Sequence, residues 1–212
     1  MKETSFAALL CSRLCHDLVS PVGAVSNGVE IMKEEKDPDM LVEVVDLVEQ
    51  SARQTSNKIQ FFRLAFGAGG GFGATIDLKE AHKCLSNFLS GINVDLDWTL
   101  EPKLVQKDYV KVLLNLALIT GESLIRGGTQ KVTLDYSNNG DALAAMTVSV
   151  SGKRVILLEA MKDALLGVSS FEQIEPKTAP AYFVTSLLED LSGQITIGEQ
   201  SDDSLVLQVH FA

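Results

Sequence analysis

Residues 15–25 read CHDLVSPVGAV, and they place a histidine, an acid and a proline within one amphipathic pattern. Across residues 4–35 apolar side chains recur every three or four positions, which predicts a long helix with one apolar face. The members of that face are Phe6, Leu10, Leu14, Leu18, Val22, Val25, Val29 and Met32. The fold of the whole N-terminal region depends on this pattern and on where it stops.

The pattern stops at KDPD, residues 36–39. Asp37 is a suitable N-cap for a second helix, Pro38 suits the first helical position, and Asp39 suits the positive end of the helix dipole. Because a second apolar pattern follows, we predict a helical hairpin over residues 1–66. A lone hairpin cannot bury both apolar faces, so we also predict that two chains pair into a four-helix bundle as a homodimer.

Residues 67–74, GAGGGFGA, form a glycine-rich linker. The run from Gly69 to Ala74 nominally matches the phosphate-binding fingerprint G-x-G-x-x-A. It does not follow a predicted strand, however, and no Lys-Ser or Lys-Thr pair comes after it. The tract is therefore predicted to be a flexible joint between two domains.

Residues 75–212 have the mixed pattern of a domain with helices and strands. Helical patterns cover residues 78–90, 107–125, 156–166 and 179–191, and strand patterns cover residues 93–100, 131–136, 144–151, 194–197 and 205–211. The sequence NNGD at residues 138–141 predicts a hairpin turn between two of the strands. We predict an α/β sandwich with helices on one face of a single sheet, so the whole chain belongs to the α+β class.

The composition of the 212 residues argues against several kinds of protein. A formal net charge of −10 argues against binding to nucleic acid or to an anionic membrane. The first residues lack the features of a signal peptide, and no uninterrupted apolar run approaches the roughly 18 residues of a membrane span. Three unevenly spaced cysteines suit a reducing compartment. We expect a cytoplasmic protein whose partners are other proteins or cations.

His16 is predicted to point outward from the first helix. At about 100° per residue, Leu14, Leu18 and Val25 lie on roughly the opposite side of the helix wheel. Mostly small side chains surround the histidine, so the backbone of another protein could approach it closely. For Arg13, an ion pair between helices is an equally good interpretation. With that alternative open, we assign seven residues to a docking surface for a partner protein: Leu9, Ser12, Arg13, Val19, Ser20, Gly23 and Asn27.

Asp17 and Pro21 indicate that His16 is a nucleophile. A neighbouring carboxylate can accept a hydrogen bond from Nδ1–H of the imidazole, which leaves Nε2 free to attack, and it stabilises the positive charge that develops. Pro21 has no N–H to donate to the carbonyl oxygen of Asp17, so the helix is loosened just after the histidine. We therefore name His16 and Asp17 as the candidate catalytic pair.

The run from His16 to Pro21, HDLVSP, resembles the H-box of two-component histidine kinases. That box has a histidine, an acid, a leucine and, after one variable position, a serine or threonine and a proline. The predicted hairpin resembles the dimerisation and histidine-phosphotransfer domain of those kinases. Residues 75–212 resemble their ATP-binding domain in the order of the elements. The resemblance covers nearly the whole chain and implies that His16 carries a phosphoryl group.

The resemblance fails at the features that bind nucleotide in those kinases. If Asn115 aligns with the first asparagine of the N-box, the second falls at Ile119, which cannot coordinate a metal ion. Val150 stands where an aspartate would bind adenine, and Arg154 stands where a second glycine is expected. The segment TAPAYF, residues 178–183, contains no glycine where a glycine-rich loop would cover the phosphates. We therefore expect that this chain itself binds no ATP, no other cofactor and no metal.

A histidine-phosphotransfer hairpin with a degenerate kinase-like domain resembles the ChpT-type histidine phosphotransferases of alphaproteobacteria. That resemblance implies a multistep phosphorelay in cell-cycle control. Phosphoryl groups would arrive at His16 from the receiver domain of a hybrid histidine kinase (CckA-like). They would leave to the receiver domains of response regulators (CtrA-like and CpdR-like). Each receiver would bring its own Mg²⁺, so the chain would need to provide only the nucleophile and a docking surface.

Other interpretations remain open. Cys11 and Cys15 are spaced as a possible helical pair of metal ligands with His16, although His16 lies about 140° from Cys11 and about 100° from Cys15 on the helix wheel. A His-Asp pair also occurs in HD-type metal phosphohydrolases, but those need further histidines, and only His82 and His210 remain, which suit structural roles. The chain could also be an ATP-dependent histidine kinase, or a non-catalytic dimeric scaffold that binds response regulators.

Overall fold

The computed structural model describes residues 2–67, 74–137 and 142–212. Most of the predicted linker and the whole predicted turn at residues 138–141 lie outside the described residues. The elements in chain order are α1 (Lys2–Glu34), α2 (Pro38–Ala65), β1 (Thr75–Asp77), α3 (Leu78–Ser90), β2 (Val94–Trp98), β3 (Leu104–Gln106), α4 (Lys107–Ser123), β4 (Gly128–Tyr136), β5 (Leu143–Ser151), α5 (Glu159–Leu165), a 3₁₀ turn (Phe171–Gln173), α6 (Ala179–Asp190), β6 (Gly193–Gln200) and β7 (Ser204–Phe211).

The helical hairpin forms where the sequence predicts it. The side chain of Asp37 accepts a hydrogen bond from the backbone N–H of Asp39 at 3.0 Å, so it caps α2, and Pro38 occupies the first helical position. Gly28 lets α1 and α2 approach closely, because a methyl group at that position would lie 2.3 Å from Cγ2 of Val48. The hairpin is therefore determined by one cap, one proline and one close helix contact.

The C-terminal region forms a five-stranded sheet in the order β2-β4-β5-β7-β6. β2 is parallel to β4, and the other neighbouring strands are antiparallel. Along β7 the buried residues Leu205, Leu207 and Val209 alternate with more exposed ones, so helices cover one face of the sheet. The predicted α+β class and its α/β sandwich are confirmed. β1 and β3 pair in a separate two-stranded sheet that the sequence analysis did not predict.

α4 is the central helix of the core, and nearly all of its residues after the first turn are buried. It ends at Ser123, two residues before the predicted end, because Leu124 is extended and forms a β-bridge with Val155. α5 begins later than predicted for a related reason. The N–H of Ile156 donates to the carbonyl oxygen of Ser123 at the end of α4, so the chain is not yet helical at residue 156.

The hairpin and the sandwich domain share one hydrophobic core. Phe61 of α2 is fully buried and stacks on Phe88 of α3, with ring centroids 4.1 Å apart. The side-chain amide of Asn115 on α4 donates to the carbonyl oxygen of Ala65 at 3.0 Å. The hairpin is therefore packed firmly against the second domain, and this contact positions α1 relative to α4.

α1 is long and apolar enough to cross a membrane by length and composition alone. One such helix near the N-terminus is weak evidence for a membrane span. Its Arg13 and Asp17 form ion pairs inside the folded chain, and its Phe6 and Leu10 pack against the hydrophobic core. We therefore interpret α1 as half of the hairpin.

Candidate functional site at His16

His16 lies in the middle of α1, and its side chain is 87% exposed to solvent. Gly23 is half-buried, and a methyl group at that position would meet no other atom within 4 Å. Of the other residues predicted to form a docking surface, four are exposed, namely Ser12, Val19, Ser20 and Asn27. The histidine therefore stands on an open strip of mainly small side chains.

Two of the predicted docking residues do not lie on this strip. Leu9 is half-buried and packs against the hydrophobic core. Arg13 is only 7% exposed, because its guanidinium forms an ion pair with Glu122 of α4. Arg13 therefore makes the ion pair between helices that was the alternative interpretation, and it lines the cleft beside His16 without lying on the open strip. A helix wheel of α1 alone could not include the approach of α4.

Asp17 is held beside the imidazole as the sequence predicts. Its Oδ1 lies 3.3 Å from Nδ1 of His16, and its Oδ2 accepts a hydrogen bond from Nε of Arg13 at 2.8 Å. The Asp17 side chain is only 15% exposed, so its orientation is set by these contacts more than by water. A carboxylate at this position favours the tautomer with the proton on Nδ1 and leaves Nε2 of His16 facing solvent.

The backbone of Asp17 is held as well. Pro21 is buried within α1 and offers no N–H to the carbonyl oxygen of Asp17. Nζ of Lys58, which comes from α2, donates to that carbonyl at 2.9 Å instead. The proline thus does more than loosen the helix. It leaves the carbonyl oxygen of Asp17 without a helical donor, and Lys58 of α2 donates to that oxygen instead. Side chain and backbone of Asp17 are together anchored by Arg13 and Lys58.

A cleft of about 590 Å³ lies beside His16, between α1 and the segment that precedes α6. Burial raises the pKa of Glu122 in this cleft, and the guanidinium of Arg13 opposes that rise. Residues 178–183, where the resemblance to the kinases would place a glycine-rich loop, form the N-cap and the start of α6 and follow directly after this segment. The residues that line the cleft are Ser12, Arg13, His16, Asp17, Glu122, Glu175, Pro176 and Lys177. Both parts of the chain therefore contribute to the surroundings of the histidine.

The positions that would bind nucleotide in a histidine kinase are occupied differently here. Asn115 is fully buried, and its amide donates to backbone oxygens of Ala65 and Lys111. Ile119 and Val150 are also buried. The cavity next to Ile119 measures about 100 Å³ and is lined mainly by apolar side chains from α4 and from the segment before α5. Asn115 thus has a structural role, because its amide joins α4 to the end of α2.

The residues of the alternative metal interpretations lie apart. Cys11 and Cys15 are exposed free thiols on α1. His82 packs against Trp98 with ring centroids 5.2 Å apart, and His210 lies on β7. Within residues 2–67, 74–137 and 142–212, no group of three or more histidine, cysteine or acidic side chains could hold a metal ion.

Three residues that contribute to the site were missed in the sequence analysis: Lys58, Glu122 and Lys177. Glu122 is 109 positions from Arg13 in the chain, and Lys58 is 41 positions from Asp17. No local pattern links residues at such separations. For Lys58 a signal did exist, because the missing N–H of Pro21 predicts an acceptor without a helical partner, although it does not identify the donor.

Comparison with known proteins relates nearly the whole chain to phosphotransferases. Residues 78–203 match the family described as the histidine phosphotransferase C-terminal domain. Protein phosphotransferase ChpT of Brucella abortus (strain 2308) is 33% identical over 204 residues, which cover 96% of this chain and 94% of that protein. A solved structure described as a bacterial phosphotransferase aligns with a TM-score of 0.85 and 29% identity, over 98% of this chain and 96% of the other. The histidine kinase AdeS of Acinetobacter baumannii aligns far more weakly, with a TM-score of 0.44 and 12% identity, over 93% of this chain and 97% of the other.

The site and fold together define a class of protein: an exposed histidine on a helical hairpin, oriented by a fixed carboxylate and backed by an α/β sandwich. The match over most of the second domain and the relative that is similar over nearly the full length then identify the family. This chain belongs to the histidine phosphotransferases.

Proposed function

We propose that this chain is a phosphorelay intermediate that accepts a phosphoryl group on Nε2 of His16 and passes it to a second protein, without using ATP. The observation that carries the proposal is the pairing of an 87% exposed imidazole with a carboxylate 3.3 Å from Nδ1. That arrangement keeps the Nδ1 proton and leaves the Nε2 lone pair available. Phosphoryl transfer depends mainly on such positioning and on charge stabilisation.

The transfer step balances with the groups present. The Nε2 lone pair of His16 attacks the phosphorus of an aspartyl phosphate on a receiver domain. A nitrogen–phosphorus bond forms as the phosphorus–oxygen bond breaks, and the aspartate leaves as a free carboxylate. The product imidazole holds a phosphoryl group on Nε2 and a proton on Nδ1, and Asp17 stabilises the resulting positive charge. Attack by the aspartate of a second receiver reverses these changes.

The proposed independence from ATP is supported by the residues at the positions that the resemblance aligns with the nucleotide site of the kinases. Ile119 and Val150, which stand at two of these positions, are buried and apolar. Ile119 also offers no atom that could bind a metal ion. We infer that Mg²⁺ for the transfer is supplied by the receiver domain and not by this chain.

The proposed working form is a homodimer in the cytoplasm. Two apolar grooves run along the hairpin, and Ile59, which is 50% exposed, lines both of them. A second hairpin laid on these grooves would complete a four-helix bundle.

Light scattering tests the proposed dimer. We expect wild type to have about twice the 22.9 kDa mass of one chain, and Ile59→Arg to have the mass of one chain. Val168→Arg, on an apolar residue of the second domain that is 70% exposed, is the control. A wild-type mass of one chain would contradict the dimer.

The proposed partners are the receiver domain of a hybrid histidine kinase (CckA-like) and the receiver domains of response regulators (CtrA-like and CpdR-like), in control of the cell cycle. Support comes from the relative in Brucella abortus, which is named phosphotransferase ChpT. The open strip of small side chains around His16 also suits the close approach of a folded domain. Neither nucleic acid nor membrane is a proposed partner, given the net charge of −10.

One experiment tests the function. The protein is incubated with a receiver domain carrying ³²P on its aspartate, and the label on this chain is followed over time. We expect wild type and His210→Ala to be labelled and His16→Ala to remain unlabelled. Label on His16→Ala would contradict the proposal. Label from ATP alone would favour a histidine kinase, and receiver binding without any transfer would favour a non-catalytic scaffold.

A further inference from the structure

Arg13 contacts two carboxylates that come from different parts of the fold. Its Nε donates to Oδ2 of Asp17 at 2.8 Å, and its Nη2 pairs with Oε1 of Glu122 on α4. Asp17 in turn lies against Nδ1 of His16. The three contacts form a continuous chain that leads from the second domain to the proposed nucleophile.

We propose that Arg13 and Glu122 are positioning residues for phosphotransfer: Glu122 holds Arg13, Arg13 holds Asp17, and Asp17 keeps the proton of His16 on Nδ1. This inference rests on the proposed function. It goes beyond it by giving α4 of the kinase-like domain a part in the transfer, because the contacts of Asp17 depend on that domain.

The geometry of the guanidinium makes the two contacts depend on each other. A guanidinium is planar, and its N–H groups form a rigid fork, so a rotation that breaks one contact also displaces the other. The Arg13 side chain is 7% exposed and Asp17 is 15% exposed, so water cannot readily replace either partner. Glu122, at 30% exposure, lies at the edge of the cleft and closes the network.

The charges lead to the same conclusion. Asp17 and Glu122 are both acidic and both face Arg13, so they would repel each other without the guanidinium between them. If Glu122 lost its charge, Arg13 would be free to shift towards Asp17 and compete with His16 for its oxygens. If Arg13 were removed, Asp17 would be free to rotate away from Nδ1. Either change lets the imidazole adopt the other tautomer, with the proton on the attacking nitrogen.

The test uses the full chain and the isosteric variant Glu122→Gln, which keeps the shape of the side chain. We expect transfer from a phosphorylated receiver to slow by roughly tenfold or more, as is usual when a group that orients a reactive residue is lost. At about pH 8, where an ordinary imidazole is neutral, ¹⁵N spectra should show His16 with its proton on Nδ1 in wild type and a growing share on Nε2 in the variant. Glu159→Gln, which removes an acidic partner from the exposed pair with Lys162, is the matched control and should change neither.

A charge swap distinguishes two possible roles of the Arg13–Glu122 pair: orienting His16 through Asp17, or only holding α1 against α4. Arg13→Glu combined with Glu122→Arg can restore an ion pair between α1 and α4, but it places a second carboxylate beside Asp17. We expect the swapped protein to regain part of the thermal stability that Arg13→Glu alone loses, and still to transfer slowly. Recovery of the wild-type rate would overturn the proposal, because the pair would then act only as a tether. An unchanged rate or an unchanged tautomer in Glu122→Gln would overturn it too.

Failure of the proposed function itself would look different. Wild type would then receive no label from any receiver, whereas the tautomer of His16 is read without a receiver. A chain whose tautomer shifts in Glu122→Gln supports the positioning network even in that case. The two conclusions can therefore fail separately.

Discussion

The contact between Lys58 and the carbonyl oxygen of Asp17 gives the sharpest test of how Pro21 shapes the site. In an ordinary helix the N–H of residue 21 would donate to that oxygen. Proline has no N–H, and Nζ of Lys58 donates instead at 2.9 Å. The substitution Lys58→Met keeps most of the length of the side chain and removes the donor. It therefore leaves a partly buried carbonyl group without a partner.

The expected cost follows from the kind of bond that is lost. A hydrogen bond to a charged group contributes about 1.5–3 kcal/mol. Lys58 is half-buried, so water can partly replace it, and we expect the lower end, about 1.5 kcal/mol. Pro21→Ala restores the helical N–H and supplies the carbonyl with another donor. In that background Lys58→Met should cost less by about 1 kcal/mol, a coupling typical of residues that share a partner.

The assay is urea denaturation of wild type, both single variants and the double variant, at one protein concentration because dimerisation would be linked to folding. Lys83→Met, on an exposed lysine of α3, controls for loss of a surface charge. Transfer from a phosphorylated receiver should also slow in Lys58→Met and recover partly in the double variant. An equal cost of Lys58→Met in both backgrounds would refute the reasoning, since the lysine would then not replace the missing helical bond.

Three further predictions concern the thiols and the packing. Burial raises the pKa of Cys84 to about 11, so its alkylation at neutral pH should be about 100-fold slower than that of a free thiol and should speed up as the pH rises towards 11. Mass spectrometry should find exposed Cys11 modified first, and equal rates would contradict this. Gly28→Ala should destabilise the hairpin by about 1–3 kcal/mol because of its contact with Val48. Val48→Ala should relieve that loss in a double variant, as measured by urea denaturation. Phe61→Ala should cost about 3–5 kcal/mol in the same assay because the ring is fully buried, and a cost below 1 kcal/mol would argue against the shared core.

The packing of the hairpin on the second domain indicates a structural role for that domain. Phe61 and Phe88 join the two regions in one core. Glu122 then reaches the Arg13–Asp17 pair from α4. The second domain thus packs against the hairpin and contributes Glu122 to the surroundings of His16.

The local sequence determined the elements whose stability depends on neighbours in the chain. The apolar spacing of α1 and α2 and the cap at Asp37 predicted both helices to within two residues, because these interactions span three or four positions. The H-box run and the outward position of His16 were predictable for the same reason. By contrast, β1 and β3 are three residues each and exist only because they pair across the chain. Strands that short have too few residues to show an alternating pattern.

Tertiary structure alone decided what surrounds the nucleophile. The helix wheel placed Arg13 near His16 on an open face, but the arrival of Glu122 on α4 buried its side chain. The missing N–H of Pro21 left an acceptor whose partner, Lys58, only the packing of α2 could supply. Both contacts join residues far apart in sequence, and their energy depends on which helices meet and at what distance. The sequence by itself thus determined the helix, the histidine and the acid beside it, while the assembled fold determined how that acid is held, because charges act through space and not along the chain.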